Sequence, residues 1–160
     1  MSPRLSLLSL ALVLPISAQS NTDSSPNPVE IVSRIESVDG RQLTGENGTV
    51  SGLFLEVHNA SSKNVIGYSL DVKFVDPSTN TNIKGSHGRI AARQGNPLHP
   101  GDCDCSNAKP IVIRRTASGI LAEPKVTVDL VVFDDGTTWG AGQLPASARL
   151  RKELGLSAKR

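Results

Sequence analysis

Two cysteines separated by one aspartate form the segment of this 160-residue chain that is best suited to chemistry. Cys103 and Cys105 are its only cysteines, and His99 lies shortly before them. In an extended strand, residues two apart face the same side, with Cα atoms about 6.5 Å apart, near the upper limit for a disulfide. The pair could be two free thiols, an easily reduced bridge formed where the chain tightens, or an intermolecular bridge.

Two functional interpretations of Cys103 and Cys105 compete with a purely structural one. The first is a redox-active thiol pair, and the second is a soft-metal site completed by His99. Zinc usually takes four protein ligands in a structural site, and no second Cys or His pair occurs at matching spacing. Asp102 and Asp104 disfavour a thiolate beside them, which argues against a reactive nucleophile. The sequence therefore predicts a thiol or disulfide pair with no bound metal or cofactor.

The other candidate residues lack partners in the sequence. His58 and His87 are isolated and are predicted to be exposed. Asp134-Asp135 is an acidic pair, but Ca²⁺ takes six to eight oxygen ligands and only two carboxylates are local. The chain contains neither a G-x-S-x-G nucleophile motif nor a phosphate-binding glycine loop. We therefore predict a protein without enzymatic activity.

The N-terminal segment has the layout of a secretory signal peptide. Arg4 supplies a positive start, residues 5–14 form a short apolar run, and Ala18 offers a small residue for cleavage. A membrane anchor is the less favoured interpretation, because a spanning helix needs about 20 apolar residues. We predict a signal peptide over 1–18, a flexible polar leader over 19–28, and a secreted or periplasmic product with no transmembrane span.

The charge balance argues against nucleic acid as a partner. The full chain has 17 Lys and Arg against 15 Asp and Glu, and removal of the signal peptide takes away only Arg4. A nucleic-acid-binding domain usually carries a basic patch or a strong positive excess. The length suits a single hydrophobic core. We expect a monomer whose partner is an unidentified protein or envelope component.

Alternation of apolar and polar residues predicts about seven short β-strands. The even-numbered residues of 66–74 and of 126–132 are predicted to face inward together. Asp135-Gly136 predicts a hairpin turn that places Val132 opposite Trp139 and Phe133 opposite Thr138. The other predicted strands cover residues 29–36, 53–58, 90–92 and 111–113.

A change of pattern near the C-terminus predicts a short helix after the last strand. Pro145 suits a first helical turn, Gly155 suits a stop, and Leu150 and Leu154 lie one turn apart. Five basic residues and one acid occupy 149–160, so 143–160 is predicted to be a basic C-terminal tail that contains this helix.

The stretch from Gly52 to Gly101 resembles the FxLYD-type and related immunoglobulin-like domains of secreted bacterial proteins. The resemblance rests on Val57-His58-Asn59, Lys63, the strand from Tyr68 to Asp76, and the turn from Leu98 to Gly101. The ending VDLVVFDDGTTWG also looks like the last hairpin of such domains. The chain departs from the family in reading Phe-Val-Asp where the family has Leu-Tyr-Asp, and in its Cys pair. The resemblance implies a sandwich fold and no catalytic residues.

Together, the strand pattern and the resemblance predict an all-β protein in which residues 29–142 form an immunoglobulin-like antiparallel β-sandwich, followed by the short C-terminal helix. The predicted function is that of a secreted non-catalytic module that binds a protein or an envelope component. The alternative is a thiol-redox or metal-binding protein that uses the Cys103/Cys105 pair.

Overall fold

The computed structural model describes residues 26–44, 48–105 and 109–156, so the predicted signal peptide and most of the leader lie outside the described residues. Within these residues, eight strands and two helices follow one another: β1 (Val29–Asp39), α1 (Gly40–Leu43), β2 (Thr49–Asn59), β3 (Val65–Asp76), β4 (Thr81–Ala92), β5 (Cys103–Asp104), β6 (Ile111–Ile113), β7 (Glu123–Phe133), β8 (Thr138–Trp139) and α2 (Pro145–Glu153).

The strands form two antiparallel sheets that pack face to face. In the first sheet β2 lies between β1 on one side and the short β5 and β6 on the other. The second sheet has the order β4-β3-β7-β8. The prediction of an antiparallel β-sandwich with a short C-terminal helix is therefore confirmed. Among the described residues, no helix is long and apolar enough to cross a bilayer.

The main core lies between the two sheets and is built from alternate residues of the long strands. β2 contributes Leu53, Leu55 and Val57, which face residues of β3 and β7. From β3, the residues Tyr68, Leu70, Val72 and Phe74 point inward as predicted, and from β7 so do Val126 and Val128. Burial of these side chains removes apolar surface from water, which is the main favourable contribution to folding.

The inward prediction was wrong for Ile66, Leu130 and Val132, which belong to a second cluster on the outer face of the second sheet. The physical reason is a pair of β-bulges. The register between β3 and β7 shifts twice: β3 has one extra residue at Ile66, and β7 has one extra residue at Asp129. Because side chains alternate with a period of two, one extra residue moves all later side chains to the opposite face.

The loop of the last hairpin is one residue longer than the predicted two-residue turn. Val131 pairs with Trp139 and Val132 pairs with Thr138. The Phe133 N–H donates to the Thr137 carbonyl oxygen at 3.0 Å, and Gly136 has φ of +80°, a conformation that glycine adopts without steric cost. Trp139 packs against the core between the sheets, as expected, but its neighbour across the ladder is Val131.

Helix α2 is confirmed, and it packs on the outer face of the second sheet. Its Leu150 and the following Leu154 bury Leu130 and Val132 in the second cluster. The helix approaches β3 closely at Gly67, where an added Cβ would lie 2.8 Å from Leu154 Cδ1. The predicted basic tail therefore carries a buried apolar face that completes the domain.

A buried carboxyl group fixes the start of α2. Asp129 accepts hydrogen bonds from the main-chain N–H groups of Leu144, at 3.0 Å, and Gln143, at 3.4 Å. It also accepts from the Ser147 hydroxyl, which lies 2.5 Å from the Ser69 hydroxyl oxygen. Acceptors at this position satisfy N–H groups that have no partner within the helix. The bulge residue of β7 thus positions α2 on the sheet.

Candidate functional site

Four side chains that can bind metal or take part in thiol chemistry gather on the outer face of the first sheet. They are Glu56 and His58 of β2, and Cys103 and Cys105 at β5. The antiparallel register places His58 directly opposite Cys103 and Val57 opposite Asp104. Because opposite residues share a face, Cys103 lies beside His58 on the solvent side while Asp104 points inward.

Cys103 and Cys105 form an intramolecular disulfide, and among the described residues there is no free cysteine. Their Cα atoms are 5.2 Å apart, shorter than a regular strand would give and within the usual range for a bridge. Of the alternatives that the sequence left open, the chain adopts the one in which the segment tightens.

His58 was predicted to be isolated and is instead part of this cluster. Its Nε2 atom lies 3.6 Å from Cys103 Sγ and 3.8 Å from Glu56 Oε2. Its side chain is 35% exposed, so an ion or a small molecule can reach it. Arg34 of β1 lies 3.5 Å from the other carboxylate oxygen of Glu56 and holds that side chain from the far side.

His99, the histidine that the sequence proposed as a metal ligand, lies elsewhere. Its Nδ1 is 2.8 Å from Asn64 Oδ1, and its main-chain N–H donates to Asp102. It therefore orders an exposed turn and is not one of the four clustered residues. The short sequence distance to Cys103 suggested the wrong histidine, because the strand pairing brings in one that is 45 residues away.

Asp104 anchors the disulfide segment from behind. Its carboxylate oxygen accepts from the Tyr68 hydroxyl at 2.7 Å and lies 2.7 Å from an Arg93 guanidinium nitrogen. Burial, followed by the hydrogen bond to Asp104 and its charge, raises the pKa of Tyr68 above its ordinary value. The phenol therefore stays a hydrogen-bond donor, and the two cysteines remain on the outer face.

The acidic pair in the last hairpin is engaged by neighbouring side chains. Lys63 Nζ lies 2.7 Å from Asp135 Oδ2, and the Asn64 amide donates to Asp134 at 2.7 Å. The hydrogen bonds from Lys63 and Thr137 hold the pKa of Asp135 at about 2, below its usual 3.8. These contacts support the interpretation of the pair as part of a hairpin turn.

No family model matches the sequence, and no curated protein matches it. One solved structure that aligns with this chain is an X-ray structure of a hypothetical protein from Peptoclostridium difficile 630. The two chains share 13% identity with a TM-score of 0.49, and the alignment covers 81% of this chain and 92% of that chain.

Proposed function

We propose that this chain is a secreted or periplasmic, non-catalytic module that binds a protein or envelope component by adding a partner strand to β1. One observation carries the proposal: β1 is a long and regular edge strand that pairs only with β2 among the described residues. An exposed edge offers unpaired main-chain donors and acceptors to an incoming strand. Export rests on the signal-like segment over 1–18.

The remaining sheet edges are short or irregular. β5 and β8 have two residues each and β6 has three, while the pairing of β4 with β3 is broken by a register shift. By contrast, β1 pairs with β2 over eleven consecutive positions without a shift and contains neither Pro nor Lys. Short strands, bulges, lysine and proline are the usual protection of an edge, so β1 is the least protected of these edge strands.

The pairing pattern identifies the available groups on β1. The Ala60 N–H donates to the Pro28 carbonyl at 2.9 Å, and in an antiparallel ladder such bonds recur at every second residue. Even-numbered residues of β1 therefore bond to β2, and odd-numbered residues direct their main-chain groups away from the sheet. Ile35, 36% exposed, adds an apolar side chain beside that row.

A proline at Ser37 tests this edge. Ser37→Pro removes one outward N–H and spares the bonds to β2, so we expect recovery of an envelope protein by the immobilised chain to fall about tenfold. Ser37→Ala keeps the N–H and should capture the protein like the natural chain. Ile35→Lys, which charges the edge, should also reduce capture. Equal recovery by all variants, or no captured protein, would contradict the proposal; melting temperatures check that each variant is folded.

A second function, thiol–disulfide exchange at Cys103–Cys105, is favoured by the position of His58 beside Cys103 Sγ. A bridge over one intervening residue closes a short loop, so it restricts the unfolded chain little and is readily opened. We expect the folded chain to gain two thiols in a dithiol buffer poised at about −270 mV, a potential at which structural bridges stay oxidised. The Cys103→Ser/Cys105→Ser variant gives the thiol background. A chain that stays oxidised in that buffer would exclude this function.

A further inference from the structure

We propose that reduction of the Cys103–Cys105 bridge creates a zinc site formed by both thiolates, the imidazole of His58 and the carboxylate of Glu56. This inference rests on the second proposed function, since it requires a bridge that can be opened. It also departs from the expectation that the chain has no metal site. Two sulfurs, one nitrogen and one oxygen are a donor set that Zn²⁺ accepts in tetrahedral geometry.

The distances already approach those of such a site. One ligand atom from each of the four residues lies within 4.8 Å of all the others. A tetrahedral zinc ion with Zn–S bonds of about 2.3 Å separates two sulfurs by about 3.8 Å. Cα atoms 5.2 Å apart permit that separation by side-chain rotation after the bridge opens. The 3.6 Å between His58 Nε2 and Cys103 Sγ is already close to a ligand–ligand distance.

The strand pairing explains why the four residues share one surface. Glu56 and His58 are two apart on β2, and Cys103 and Cys105 are two apart at β5, so each pair lies on one face. Because His58 stands opposite Cys103, the next outward position on the same register brings Cys105 toward Glu56. The site needs no movement of one strand past the other.

Neighbouring side chains support the ligands. Arg34 contacts Glu56 Oε1, which leaves Oε2, the oxygen nearer to His58, available to an ion. Behind the cysteines, Tyr68 and Arg93 hold Asp104 and therefore the main chain between the two sulfurs. Partners of this kind orient metal ligands and commonly contribute about tenfold or more to metal affinity.

A dithiol can supply the electrons and protons that reduction of the Cys103–Cys105 bridge requires. The dithiol gives two electrons and two protons to the Cys103–Cys105 bond, which breaks into two thiols, and the reductant becomes a disulfide. Zinc then displaces the two thiol protons and binds both sulfurs. The oxidised chain lacks these ligands, so the bridge and the metal exclude each other.

Titration of the full mature chain with Co²⁺, followed by Zn²⁺, tests the proposal. We expect the reduced chain to bind one Co²⁺ with thiolate charge-transfer and tetrahedral absorption bands, which zinc then removes. The oxidised chain should show neither band. His58→Ala and Cys103→Ser should each weaken binding at least about tenfold. His99→Ala changes a nearby exposed histidine outside the cluster and should bind like the natural chain.

The zinc site would be overturned by equal binding by the oxidised chain, by unchanged affinity in His58→Ala, or by a reduced chain that gains two thiols and binds no metal. The last result would contradict the zinc site but not thiol–disulfide exchange. A bridge that the dithiol cannot reduce would contradict both proposals. Circular dichroism of Cys103→Ser/Cys105→Ser shows whether the sandwich folds without the bridge. A folded double variant that binds Co²⁺ like the reduced chain would also contradict the proposal.

Discussion

Asp129→Ala is expected to lower the free energy of unfolding by about 3–5 kcal/mol, because it removes a buried acceptor and leaves its donors unsatisfied. At the start of α2, the Asp129 carboxyl group accepts hydrogen bonds from the main-chain N–H groups of Gln143 and Leu144 and from the Ser147 hydroxyl. Negative charge at a helix N-terminus is also favoured by the helix dipole. Urea unfolding followed by circular dichroism measures the loss.

Two variants separate this role from a general effect of removing charge. Asp129→Asn keeps one oxygen acceptor, so we expect a smaller loss of about 1–3 kcal/mol. Asp134→Ala removes an exposed carboxylate from the turn between β7 and β8, and it should lower the free energy of unfolding by less than about 1 kcal/mol. If Asp129→Ala were as stable as Asp134→Ala, the carboxyl group would not hold the helix.

Leu150→Ala is expected to cost about 2–5 kcal/mol of stability. Leu150 is fully buried and packs in the second cluster with Leu130 and Val132. Truncation would leave a cavity between α2 and the sheet, in addition to the lost transfer free energy. Urea unfolding monitored by Trp139 fluorescence measures the change, since Trp139 is the only tryptophan.

Arg149→Ala is the matched control for the helix, because this neighbouring side chain is exposed. Its expected cost is below about 0.5 kcal/mol. Equal stabilities for Leu150→Ala and Arg149→Ala would show that the C-terminal helix does not pack stably on the sheet and that the second cluster contributes nothing to the fold.

The strands with one polar face were predictable, and those with two apolar faces were not. In β2, Leu55 and Val57 alternate with Glu56 and His58, which indicates the buried side directly. In β7 the run from Leu130 to Phe133 is apolar on both sides, since the sheet packs on one side and α2 on the other. A continuous apolar run carries no parity information, so the bulge at Asp129 left no signal.

β4 and the thiol cluster escaped prediction for different reasons. Of the twelve residues of β4, only the last three were recognised, because its sequence TNIKGSHGRIAA has few apolar residues to alternate. The approach of His58 to Cys103 depends on the register between β2 and β5. Nothing local to either segment specifies that register, whereas the nearby His99 offered a misleading short spacing.

The contacts of Tyr68 and Arg93 with Asp104 affect how fast the cysteines on either side of it can re-form their bridge. Opening a disulfide usually lets the two sulfurs diffuse apart, which slows their reunion. Here the intervening residue stays fastened to Tyr68 and Arg93 of the other layer, so the separated sulfurs remain at a high effective concentration. If the bridge takes part in the proposed thiol–disulfide exchange, reclosure by an oxidant should be rapid and the protein around the pair should stay folded.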